Sequence, residues 1–96
     1  MAKSTGLLNA NTQIVANQHG VVTAFSIFTD GTNQANATLY DSASANTSDK
    51  ILWPGKVVGA SLYGGRNWPE GGFVEYSNGL YVAVSGANAS YIVEYM

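Results

Sequence analysis

Phe73-Val74-Glu75-Tyr76-Ser77-Asn78-Gly79-Leu80-Tyr81-Val82-Ala83-Val84-Ser85 is the stretch that decides the fold class. Leu80, Val82 and Val84 recur at the two-residue period of a strand and share one face. Phe73 to Ser77 and Leu80 to Ser85 therefore read as strands. Asn78-Gly79 between them reads as a hairpin turn of type I′, because both central residues of that turn need positive φ. Gly86-Ala87-Asn88 turns the chain again. Ala89 to Tyr95 follows as a closing strand that draws its core residues from Tyr91, Val93 and Tyr95.

The same punctuation runs upstream. Val21 to Thr29 is the first strong strand, with Val21, Thr23, Phe25 and Ile27 on one face and Val22, Ala24, Ser26 and Phe28 on the other. Both faces are largely apolar, which suits a strand covered on both sides. Asp30-Gly31-Thr32-Asn33 is turn chemistry, since Gly and Asn tolerate positive φ. Ala35 to Asp41 is expected to return as the second strand of a hairpin. Ser42 to Asp49 reads as a small polar loop. Lys50 to Trp53 reads as a short strand stopped by Pro54-Gly55, and Lys56 to Leu62 as another strand or an extended segment. Tyr63 to Gly72, rich in glycine, is the longest stretch expected to be irregular. Near the start, Gln13 to Ala16 is a short strand and Asn17-Gln18-His19-Gly20 a turn.

The pattern predicts an all-β fold: a small antiparallel β-sandwich, jelly-roll or Ig-like, of about seven to eight short strands with no substantial helix. Residues 1–12 read as an N-terminal arm or loose segment, and 13–96 as a single sandwich domain.

Composition narrows the function. Hydrophobic residues make up 46% of the 96 and charged residues 10%, against about 25% charge in an average domain. A neutral polar surface resists association poorly, which suits a surface covered in an assembly. Lys3, Lys50, Lys56 and Arg66 are scattered, so no basic stripe follows phosphates and nucleic acid is not an expected partner. No apolar run approaches the ~20 residues of a membrane helix, and the first residues lack a signal-peptide core, so no membrane partner is expected. The chain has no cysteine, which excludes disulfides and thiolate metal sites and fits a reducing cytoplasm.

Chemical equipment is sparse. His19, the only histidine, lies in a turn and reads as exposed rather than as a triad base. The acids Asp30, Asp41, Asp49, Glu70, Glu75 and Glu94 lack the spacing of a calcium loop. Gly64-Gly65-Arg66-Asn67 lacks the lysine of a phosphate-binding loop. No catalytic residue, metal site or cofactor is therefore expected, and the chain reads as a non-enzyme. Trp, Tyr and Arg are enriched at binding hot spots. The expected protein contacts are Tyr63, Arg66, Asn67 and Trp68 in the 63–70 loop, with Leu7 and Leu8 of the arm.

Three stretches carry a resemblance: Ala37-Thr38-Leu39-Tyr40-Asp41 before a Ser/Ala loop, Ile51-Leu52-Trp53-Pro54-Gly55-Lys56-Val57-Val58, and Asn78-Gly79-Leu80-Tyr81-Val82-Ala83-Val84-Ser85-Gly86 running into Ala89-Ser90-Tyr91-Ile92-Val93-Glu94-Tyr95. Over residues 20 to 96 their order resembles small tailed-bacteriophage β-sandwich virion proteins of the capsid cement or decoration type. The resemblance implies a structural protein that binds the outer surface of the major capsid protein shell and bridges neighbouring subunits. It also implies a homo-oligomer, with a trimer favoured, made in the host bacterial cytoplasm and located on the virion. The alternative is a carbohydrate- or receptor-binding module of a phage tail or fibre, suggested by Tyr63, Arg66 and Trp68.

Overall fold

The computed structural model describes residues 3–57, 59, 63–67 and 74–96, with 65–67 described by their backbone alone. Among these residues there is no helix. Nine strands are present: β1 (Lys3–Ser4), β2 (Thr12–Ala16), β3 (Gly20–Phe28), β4 (Ala35–Asp41), β5 (Lys50–Val57), β6 (Tyr63–Asn67), β7 (Val74–Tyr76), β8 (Gly79–Ser85) and β9 (Ser90–Tyr95). They form two antiparallel sheets. The first has the order β1-β9-β3-β6, with β7 also on β3, and the second has the order β2-β8-β4-β5. The small β-sandwich expected from the sequence is thus the fold.

The pairing nests. β4 pairs β5, β3 pairs β6 and β7, β2 pairs β8, and β1 pairs β9. It is as if one long hairpin, bent at residues 42–49, had been rolled into two layers. β6 and β7 act as one interrupted strand: β6 ends with Asn67 opposite Ala24, and β7 begins with Val74 opposite Val22. This strand order is that of a jelly roll.

Several local expectations change as a result. β3 and β4 lie in different sheets, and so do β7 and β8, so neither pair is a hairpin. Neither Asn78 nor Gly79 has positive φ, which removes the type I′ turn. Only β4 and β5 are consecutive partners within the second sheet. The 42–49 loop that joins them is ordered by its own polar groups. The Ser42 hydroxyl accepts from the amides of Ser44 and Asn46, and Gln13 donates to the Ser42 carbonyl and accepts from the Ala45 amide. Pro54-Gly55 does not stop a strand, because β5 runs through it with Pro54 opposite Thr38. Proline fits there because β5 is an edge strand. Tyr63–Asn67, expected to be irregular, is strand β6 on the edge of β3.

The core lies between the sheets. It comprises Val22, Phe25 and Ile27 of β3, Ala35, Ala37 and Leu39 of β4, Val57, Tyr76, Leu80 and Val82 of β8, Ala89, and Tyr91 and Val93 of β9. Val84 and Tyr95 pack against its margin. One register slip shapes it. Val22 pairs Tyr95 while Ala24 pairs Glu94, so Thr23 is an extra residue in β3. A bulge of this kind reverses the alternation. Val22 therefore joins Phe25 and Ile27 in the core, although strict alternation had put it on the opposite face.

Gly55 sits where the layers approach. A Cβ there would lie 2.2 Å from Ile27 Cδ1 and 2.5 Å from the Ala37 carbonyl oxygen. The backbone atom cannot move without opening the β4–β5 pair. Gly55→Ala is expected to cost about 1–3 kcal/mol through overpacking, measured as a lower denaturant midpoint. An unchanged midpoint would contradict the closeness of the two layers at this point.

Residues 3–8 run along β9. Lys3 and Ser4 pair Tyr95 and Glu94, and Leu8 exchanges backbone hydrogen bonds with Tyr91 at 2.9 and 2.8 Å. The chain then crosses to the second sheet, where the Tyr91 hydroxyl donates to the Ala10 carbonyl at 2.6 Å.

Candidate protein-contact face

The outer face of the first sheet is built by alternation. Core-facing Phe25 and Ile27 alternate along β3 with Ala24, Ser26 and Phe28, which point away from the core. β9 contributes Ser90 opposite Phe28 and Ile92 opposite Ser26, and β6 contributes Tyr63 opposite Phe28. Phe28 and Tyr63 lie with ring centroids 6.5 Å apart and planes tilted by 40°. Phe28, Ser90 and Ile92 are half-buried, whereas Tyr63 is 71% exposed. None of these side chains is charged. Glu94 and Glu75 stand at the opposite end of the face, beside Ala24 and Val21.

The candidates read from the sequence divide between three places. Tyr63, Arg66 and Asn67 come together on β6, opposite Phe28, Phe25 and Ala24. Trp68 lies outside the described residues. Leu7 and Leu8 sit beyond β9. Leu7 is 65% exposed, while Leu8 is half-buried and packs against the core. Both leucines line a notch with Asn9, Asn88, Ala89 and Ser90. Ser90 and Phe28 therefore link the notch to Tyr63, which shares one end of the sheet with Leu7 and Leu8, whereas Asn67 pairs Ala24 at the other end, where Ala24 also pairs Glu94. Phe28 and Ile92 belong to this face but are not among the candidates read from the sequence. The two-sided apolarity of Val21 to Thr29 was the signal for Phe28.

Two of the acids, Asp30 and Asp41, serve corners of the fold. Asp30 accepts from the amides of Thr32 and Asn33 at 2.9 and 2.8 Å and from the side-chain amides of Asn33 and Asn88 at 2.8 and 3.0 Å. These donors, with the Asn33 amide foremost, hold its carboxyl well below the usual carboxylate range. The bond to Asn88 ties the β3–β4 corner to the β8–β9 corner. Asp41, 7% exposed, accepts from the amides of Ser77, Asn78 and Gly79 at 2.9, 2.8 and 3.3 Å. Burial opposes its charge, but these amides and the Lys50 charge outweigh burial and lower its pKa. Among the described residues, no three of His, Cys, Asp and Glu stand close enough to hold a metal ion. His19 is exposed on a cleft lined also by Lys3, Gln18, Tyr76, Tyr95 and Met96, and among the described residues no Asp or Glu lines it.

Compared with protein-family models, with curated proteins and with solved structures, the chain matches none.

Proposed function

We propose that this chain is a structural virion protein, a capsid decoration protein. It docks through the outer face of its first sheet on the outer surface of the major capsid shell and braces neighbouring subunits. One observation carries this reading. At one end of the sheet the side chains of Tyr63, Phe28, Ser90, Ile92 and Leu7 are uncharged, with Tyr63 and Leu7 exposed, and the Asp30 carboxylate flanks them through its bond to Asn88. Exposed large apolar side chains at one end of a sheet are candidates for an interaction site. The jelly-roll order supports the reading as context, since viral capsid domains share it with lectin domains and cupins. Fold alone assigns no function, so the weight rests on the face. A trimer, each copy presenting this face to the shell, is the assembly that the resemblance favours.

The test is to heat particles with and without the protein. Bound protein should raise the temperature at which the shell opens, because a ligand that prefers the intact shell stabilises it by mass action. Tyr63→Ala should weaken shell binding by roughly 30-fold, the ~2 kcal/mol typical of an interfacial hot spot. Equal shell stability in both preparations would sink the bracing role.

The exposed ring of Tyr63 favours a second reading, a carbohydrate- or receptor-binding module of a tail or fibre, because flat aromatic faces suit sugar rings. A glycan array that captures the protein in a Tyr63-dependent way, with no binding to shells, would select it.

A further inference from the structure

Asn78 is the only one of the nine asparagines that is followed by glycine. In an open chain this dipeptide cyclises readily. The Gly79 nitrogen loses its proton and attacks Asn78 Cγ, a C–N bond forms, and ammonia leaves. Water then opens the resulting succinimide to aspartate or isoaspartate. No electrons are transferred, and water is the only co-reactant.

The fold blocks the step at the attacking nitrogen and pins the peptide on either side of it. The Gly79 N–H donates to Asp41 Oδ1 at 3.3 Å, and the Asn78 N–H donates to the same oxygen at 2.8 Å. A carboxylate beside an N–H opposes its ionisation, since two negative charges would then meet. Gly79 is also closely surrounded. As the first residue of β8 it pairs Ala16 of β2, and a Cβ on it would lie 2.6 Å from the carbonyl oxygens of both Ser42 and Val15. It therefore has no room to swing toward Cγ. The Asn78 side chain is exposed, so water has access and the amides alone hold the reaction back.

We propose that Asn78–Gly79 is a latent deamidation site that Asp41 holds shut, so that the chain reacts only when the corner at residues 77–79 opens. The reaction makes opening irreversible. The product places a second carboxylate beside Asp41, and isoaspartate also lengthens the main chain by one carbon. Both changes oppose re-forming the three-amide cradle, so the modification records that a chain has opened.

Peptide mass spectrometry at neutral pH tests this, with the other eight asparagines as internal controls. Folded protein should deamidate at Asn78 at least about tenfold more slowly than the same chain unfolded in guanidinium, equivalent to ~1.4 kcal/mol of local opening. Equal rates in the two states would overturn the proposal. Folded Asp41→Asn should react faster than the parent, and an unchanged rate in that variant would also overturn it. If Asp41→Asn fails to fold, hydrogen exchange at the Gly79 amide of the unaltered protein replaces it. Slow exchange is expected, and exchange at the open-chain rate would refute the closed corner.

Discussion

Asp41→Ala is expected to destabilise the domain by about 3 kcal/mol, because three backbone amides lose a charged acceptor in a buried place. For a chain of 96 residues this corresponds to a fall of more than ~10 °C in melting temperature. Calorimetry of the purified variant measures it. A loss under about 0.5 kcal/mol, the ordinary surface range, would show that water replaces the carboxylate at no cost. The effect has a pH signature. The Asp41 carboxyl lies below its ordinary value of 3.8 in the folded chain, so the unfolded chain binds the proton more tightly. The contribution is therefore complete above that ordinary value and is lost as the pH falls through the folded one. The parent protein should lose stability on acidification in that range, and Asp41→Ala should lose less.

Phe25→Ala and Phe28→Ala should differ sharply although the residues are three apart on one strand. Phe25 is fully buried and meets Tyr91 edge-on at 6.2 Å. Its truncation leaves a cavity between the layers and should cost about 3–5 kcal/mol. Phe28 lies on the outer face and its loss should cost roughly 1 kcal/mol, from partial burial and the ring contact with Tyr63. Urea denaturation of the two variants decides the matter. Equal losses would mean that the outer face is covered as the core is.

How much of this was legible follows from what each signal encodes. Alternation located the strands and placed Leu80, Val82, Tyr91 and Val93 in the core, because a two-residue period says which side a residue takes. It says nothing about which strand lies alongside. Asp30-Gly31 and Asn78-Gly79 reverse the chain, and a reversal looks alike whether it joins neighbours or passes between layers. What separates the cases is distant: Asp30 bonds Asn88, and Asp41 bonds residues 77–79. Strand β6 was illegible because Gly64 and Gly65 have little strand preference. Gly64 is there for contact, since a Cβ would meet Val57 Cγ2 at 2.8 Å. Of the candidate contacts, Tyr63 was legible by residue type. Its partner Phe28 was on the expected face of β3, but its place beside Tyr63 needed the pairing of β3 with β6, which alternation does not encode.

The nested pairing has a consequence for how the molecule is made. A ribosome releases the strands in order, yet β2 must wait for β8 and β1 for β9. At ~5–20 residues per second, β1 emerges roughly 5–20 s before its partner exists. Only β4 and β5 can meet early. Until the last strand appears, the apolar faces of the earlier ones stand unpaired, and each nascent chain depends for those seconds on dilution or on a chaperone.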